Sequence, residues 1–97
     1  MLIVSEKGTN VMKKIIRIQG KVNSLDWDSQ GNITEAMIET ENGENFILSH
    51  NAKSKELLEF IDNEVLLSAN VVGKDIAGNR IIETIEYRIL KSFINFV

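Results

Sequence analysis

Apolar and polar residues alternate along several short segments of the chain, which is the pattern of β-strands with one buried face. In the first segment, residues 11–25, Ile16, Ile18 and Val22 alternate with charged or amide side chains. Gly20 lies on the apolar side of that alternation, where a missing side chain lets a strand bend or bulge. The same reasoning predicts four further strands, at residues 33–40, 45–49, 64–73 and 80–90.

The period of the pattern changes between the third and fourth predicted strands. Leu57, Leu58 and Ile61 recur at intervals of three and four residues among charged side chains, as on a short amphipathic helix. The pattern therefore predicts a helix over residues 52–62. Asn51 is the expected N-cap, and Asn63 suits the left-handed residue that ends a helix.

The Asn42-Gly43 pair predicts a hairpin between the second and third strands. A two-residue turn places Phe46 and Leu48 on the outer face, whereas a three-residue loop with Gly43 in a bulge places both in the core. Burial of a Phe or Leu side chain contributes about 1.5–3 kcal/mol. We therefore expect the bulged hairpin, with Phe46 opposite Ile38.

Charges suggest a register for the first two strands. If Arg17 faces Glu39 and Lys21 faces Glu35, both pairs have opposite charge, and each contributes about 0.2–1 kcal/mol. The same register directs Ile18 and its apolar partners to the other face of the sheet. A slip by one residue would destroy both patterns.

The predicted order of elements is β-β-β-α-β-β. This order, with the glycine and asparagine residues that separate the elements, resembles that of a small bacterial or archaeal OB-fold domain over residues 11–90. The resemblance rests on the layout of four segments: Ile18-Gln19-Gly20-Lys21-Val22, Asn42-Gly43, Lys55-Glu56-Leu57-Leu58 and Gly73 to Gly78. It implies a mainly β protein, a five-stranded Greek-key barrel with one helix between strands 3 and 4. A small SH3-like barrel is the alternative, although it usually lacks a full helix at this position.

A chain of 97 residues suits a single domain. We expect the barrel at residues 11–91, preceded by a leader or extra strand at 1–10 and followed by an apolar tail at 92–97. We expect the tail to pack on the barrel as an extra strand, to bury Phe93, Ile94 and Phe96 against a second copy of the chain, or else to be loose. No apolar run of 18 residues and no secretory signal occurs. We therefore expect a cytoplasmic protein that does not enter a membrane.

No pattern of residues indicates catalysis, a cofactor or a metal. There is no cysteine, and the six glycines are scattered singly, without a phosphate-binding loop. His50 is the only histidine, and no ligands flank it. The segment Asp26 to Gly31 partly resembles a calcium loop, but its twelfth position is Met37 instead of Glu. We therefore expect a protein that is not an enzyme.

The charge distribution bears on the partner. OB-folds bind along the outer face of strands two and three, yet residues 22–52 contain no Lys or Arg. The six acidic residues in that stretch are Asp26, Asp28, Glu35, Glu39, Glu41 and Glu44. Because such a surface repels phosphates, we do not expect a nucleic acid as partner.

The outer face of strands two and three carries an apolar patch with acidic neighbours. We expect a non-catalytic interaction module whose partner is a protein or peptide, or a second copy of the chain. Trp27 is either buried at one end of the barrel or an exposed anchor, since Trp is enriched at binding hot spots. The candidate contact residues are Trp27, Ile33, Met37 and Ile47, with Glu35 and Glu39 setting the charge preference. The alternative, single-stranded nucleic-acid binding, follows from the fold alone.

Overall fold

The computed structural model describes residues 15–91 and contains five strands and one short helical segment. In chain order these are β1 (Ile15–Trp27), β2 (Ile33–Thr40), β3 (Asn45–Leu48), α1 (Ala52–Glu56), a 3-10 helix (Leu57–Phe60), β4 (Glu64–Lys74) and β5 (Arg80–Lys91). The expectations for residues 1–10 and for the tail at 92–97, including Phe93, Ile94 and Phe96, lie outside the described residues. No helix within residues 15–91 is long and apolar enough to cross a membrane.

The strands close into a barrel in the order β1-β2-β3-β5-β4. All neighbouring strands are antiparallel except β3 and β5, which pair in parallel at Ile47 and Ile81. With α1 between β3 and β4, this is the OB-fold order, so the predicted fold is confirmed.

Alternating residues of every strand fill the inside of the barrel, as the sequence pattern predicts. In β4, Val65, Leu67 and Ala69 are buried while the residues between them reach the surface. Leu57 of the 3-10 helix is fully buried and joins the same core. The remaining core residues are Ile18, Val22, Ala36, Ile38, Phe46, Leu48 and Ile82.

The hairpin between β2 and β3 has the bulged form that burial of Phe46 favours. Phe46 lies opposite Ile38, and Gly43 has a φ of 89°. Phe46 and Leu48 are both buried. The prediction of a three-residue loop is therefore confirmed.

The predicted pairing of β1 with β2 is wrong by four residues. Lys21 lies opposite Glu39 instead of Glu35, and Arg17 pairs with β4, where it lies opposite Ser68. The turn is shorter than the sequence suggested, because hydrogen bonds within Asp28–Asn32 let the strands pair as far as Trp27 and Ile33. Since the shift is an even number of residues, the buried and exposed faces keep their predicted assignment.

The helix is shorter than predicted and its ends differ in detail. Asn51 precedes α1, but its side chain makes no cap and instead donates to the carbonyl of Thr84 at 2.9 Å. The left-handed residue after the 3-10 helix is Asp62, with a φ of 73°, and not Asn63. Asx residues tolerate this conformation well, so the sequence indicated the type of residue but not its position.

Candidate functional site

Three apolar side chains form a row across the outer face of β2, β3 and β5. Met37 lies opposite Ile47, which in turn lies opposite Ile81. All three are half-buried, although they point away from the barrel core. We call these three residues the apolar row. It places two of the predicted contact residues together and adds Ile81, which belongs to a distant part of the sequence.

Trp27 ends β1 beside this face and lies opposite Ile33 of β2. It is 53% exposed, so its ring does not belong to the core. Its backbone N–H donates to the carboxylate of Asp26 at 2.9 Å, which helps hold the end of the strand. The structure thus selects the exposed alternative for Trp27.

The acidic side chains of this face have partners close by. The Glu35 carboxylate lies 3.5 Å from Nε2 of His50, and Glu39 accepts a hydrogen bond from Asn23 at 2.7 Å. Glu44 lies 3.5 Å from the guanidinium of Arg80. Of these partners, Arg80 comes from β5, so its proximity is invisible in the local sequence.

Lys21 lies in acidic surroundings where β1 passes from its pairing with β4 to its pairing with β2. Its neighbours across the two strand pairs are Glu39 and Glu64. Its ammonium group is 3.8 Å from the carboxylate of Asp62. Lys21 therefore supplies little positive charge to a ligand, and the expected pair with Glu35 does not form.

The loops at the two ends of the face have the same backbone design. In the β1–β2 loop, the backbone N–H of Asp28 donates to the carbonyl of Asn32, and the carboxylate of Asp28 accepts the N–H of Asn32 at 2.9 Å. In the β4–β5 loop, Asp75 and Asn79 make the same contacts, with the side-chain bond at 2.8 Å. Both loops are therefore braced by an aspartate at their first position.

The hydrogen bonds within the β1–β2 loop change the acidity of the Asp28 carboxyl group. Hydrogen bonds from the backbone of Asn32 and then Gln30 to the carboxylate lower the pKa of Asp28, although partial desolvation opposes them. The carboxylate therefore stays ionised at a lower pH than in the unfolded chain.

The β4–β5 loop adds residues that the sequence analysis did not single out. Lys74 and Arg80 lie opposite each other at the base of the loop, and Ile76 is fully exposed at its tip. The guanidinium carbon of Arg80 also lies 4.7 Å from the ring centre of Phe46. The position of these residues could have been predicted from the topology, because closing an OB barrel places β5 beside β3.

Within the part of the chain that the structure describes, no group of three or more His, Asp or Glu side chains is placed to hold a metal ion. His50 has a carboxylate neighbour in Glu35, and Ser49 donates to Asn51 at 3.1 Å. These contacts join the end of β3 to the start of α1 and do not assemble a nucleophile with a base.

The fold is similar to that of two crystal structures of Rim1, the mitochondrial single-stranded DNA binding protein of S. cerevisiae. The TM-scores are 0.52 and 0.50, with 13% and 14% sequence identity. Each alignment covers 82% of this chain and 97% of the Rim1 chain. No protein-family model matches the sequence. No curated protein matches it either.

This similarity corrects the expectation about nucleic acid. The charge of residues 22–52 led us not to expect a nucleic acid as partner, and the structural neighbours, which are single-stranded DNA binding proteins, contradict that expectation. The physical reason is that a count of the charges in residues 22–52 leaves out residues that are distant in sequence but close in space. Acidic residues such as Glu35 and Glu44 have cationic or ionisable neighbours, and the barrel brings Lys74 and Arg80 from distant segments.

Proposed function

We propose that this domain binds single-stranded nucleic acid on the outer face of β2, β3 and the start of β5. The observation that carries the proposal is the barrel itself, which is similar to Rim1 over 97% of the Rim1 chain. The fold alone does not assign a ligand, so the proposal also draws on the chemistry of this face.

Trp27 and the apolar row supply contacts suited to bases. Stacking of bases on aromatic side chains depends little on the base sequence of the nucleic acid, and it contributes about 1–3 kcal/mol per base. Trp27 is 53% exposed. Trp27 lies opposite Ile33, four residues before Met37 in β2, and the half-buried row of Met37, Ile47 and Ile81 offers apolar contact to further bases.

The cations on this face lie at its β4–β5 end. Lys74 is exposed and has no carboxylate within ion-pair distance among residues 15–91. Arg80 is held beside Glu44 and over Phe46. Since few cations face the ligand here, the proposal assigns this surface mainly to the bases rather than to the phosphates.

Trp27 makes the proposal directly testable because it is the only tryptophan. Adding a single-stranded oligothymidine to the full chain is expected to quench the tryptophan fluorescence, and a labelled oligomer is expected to gain anisotropy with the same Kd. Trp27→Ala should raise that Kd about 5- to 150-fold, the equivalent of about 1–3 kcal/mol. The anisotropy reports on this variant, which has no tryptophan.

Trp27→Phe is the matched control, because it keeps a ring on which a base stacks, and its Kd should remain closer to that of the wild type. A duplex of the same length should bind more weakly, since its bases are not free to stack on the protein. If the wild type gives no anisotropy change at low salt, where binding to a polyanion is strongest, the proposed function is wrong.

A further inference from the structure

A groove separate from the apolar row lies on the β1, β4 and β5 side of the barrel. Arg17 of β1 lies opposite Ser68 of β4, which lies opposite Glu86 of β5. Leu66 lies two residues before Ser68 in β4, and it is opposite Arg88. Together these strands form a groove of about 280 Å³, which we call the arginine groove; it is lined by Arg17, Leu66, Leu67, Ser68, Glu86, Tyr87 and Arg88.

The two arginines of this groove differ from most other cations of the barrel. Lys21, Lys53 and Arg80 each lie within 4.0 Å of a carboxylate. Neither Arg17 nor Arg88 forms an ion pair or a side-chain hydrogen bond with any residue in the range 15–91, and both are exposed. Two guanidinium groups with free donors therefore border one groove.

The charge of the groove matches a single monoanion. Arg17 and Arg88 contribute two positive charges and Glu86 one negative charge, which leaves a net charge of about +1 at neutral pH. The hydroxyl of Ser68 adds one neutral donor between them. Guanidinium groups present paired donors whose geometry suits phosphate oxygens, and a phosphodiester carries one negative charge.

We propose that the arginine groove holds a backbone phosphate of the bound single strand, an inference that rests on the proposed function. The outer face of β2 and β3 lacks cations of its own, so phosphate contacts must come from elsewhere on the barrel. The cations of the β4–β5 loop are one source, and the arginine groove is a second source on a different side.

The strand β5 connects the two surfaces. Ile81 belongs to the apolar row and Arg88 to the arginine groove. They are seven positions apart along the strand, which corresponds to about 23 Å. A single strand that contacts both surfaces follows β5 around the barrel, within the range of about 4–16 nucleotides that one OB-fold occupies.

The test is the salt dependence of oligothymidine binding by the full chain. For single strands, log K falls against log salt with a slope of about −0.7 for each phosphate contact. Arg17→Gln combined with Arg88→Gln should make that slope shallower by about 0.7. Consequently the loss of affinity should be about eightfold larger at 0.05 M than at 1 M salt.

A charge-matched control separates the groove from general electrostatics. Lys53→Gln combined with Lys55→Gln removes the same charge from α1, and the slope of this variant should equal that of the wild type. Glu86→Gln removes the carboxylate from the groove and should strengthen binding at low salt. Thermal melting checks that the variants, all with substitutions at exposed positions, remain folded.

The outcomes distinguish the two proposals. If the wild type binds the oligomer and the arginine variant keeps the wild-type slope, the groove assignment is overturned while the proposed function stands. The same conclusion follows if the control on α1 changes the slope as much as the arginine variant does. If the wild type does not bind at all at 0.05 M salt, both proposals fail.

Discussion

Gly20 is the residue at which β1 leaves its pairing with β4 and enters its pairing with β2. It lies opposite Val65 on one side and Thr40 on the other. A Cβ atom at Gly20 would lie 2.5 Å from the carbonyl oxygen of Glu39 and 2.7 Å from Cγ2 of Ile38. The close approach of two backbones, and not a turn, explains the absence of a side chain here.

We expect Gly20→Ala to lower the free energy of unfolding by about 1–3 kcal/mol, because the backbone of Glu39 has to move to accommodate a methyl group. Urea denaturation monitored by circular dichroism measures the change.

Gly73→Ala is the matched control, since a Cβ at Gly73 has no heavy atom within 4 Å. Equal stability changes in the two variants would show that the contact with Glu39 is unimportant.

Trp27 and its neighbours illustrate how far residues can be interpreted without a structure. The sequence placed Trp27, Met37 and Ile47 at one candidate surface, and the structure does bring Met37 and Ile47 together. The sequence left open whether Trp27 is exposed, because a bulge near the end of β1 decides its surroundings. Whether these residues contact a ligand stays a prediction.

At the scale of elements, the three hairpin loops share one design. Each has a residue with a side-chain acceptor at its first position and a glycine with positive φ at its fourth: Asp28 with Gly31, Thr40 with Gly43, and Asp75 with Gly78. In each loop the N–H of the fifth residue donates to the side chain of the first. This recurrence is present in the sequence, and it would have set the register of β1 and β2 correctly.

The β1–β2 loop gives a prediction about pH. The folded pKa of Asp28 is lower than its ordinary value of about 3.9. Its ionised form therefore contributes stability above that value, and the contribution is lost as the pH falls through the folded pKa. Asp28→Asn should reduce the loss of stability between pH 7 and pH 3, as measured by urea midpoints at each pH.

The variant Glu41→Gln controls for the loss of one negative charge, because Glu41 is exposed in another hairpin loop. If Glu41→Gln and Asp28→Asn alter the pH dependence equally, the effect is due to net charge and not to the hydrogen bonds of the loop.

At the scale of the whole molecule, a pair of buried hydroxyl groups ties α1 to the barrel. Ser54 donates to the hydroxyl of Thr84 at 2.8 Å and accepts the backbone N–H of Thr84 at 3.2 Å. Both residues are buried, with exposures of 1% and 2%. Tyr87 adds a surface contact by donating to the carboxylate of Glu56 at 2.9 Å.

We expect Ser54→Ala to destabilise the fold by about 1–3 kcal/mol, because it leaves the buried N–H of Thr84 without an acceptor. A urea titration of the whole chain measures the loss.

Ser29→Ala makes the same chemical change in the exposed β1–β2 loop and should stay within about 0.5 kcal/mol of the wild type. A loss no larger for Ser54→Ala than for Ser29→Ala would contradict the role assigned to this contact.

The sequence by itself determined which residues are buried, how many strands form and where the helix lies, because alternation and helical spacing reflect local geometry. It also determined that Phe46 belongs to the core, since burial outweighs the choice of turn. Only the tertiary structure decided which charges meet. Arg80 reaches Glu44, and Arg17 joins Arg88, through strand pairs that are distant in sequence. Electrostatic interactions depend on distance in space, so a charge count along the chain does not describe the charges that meet on the barrel surface.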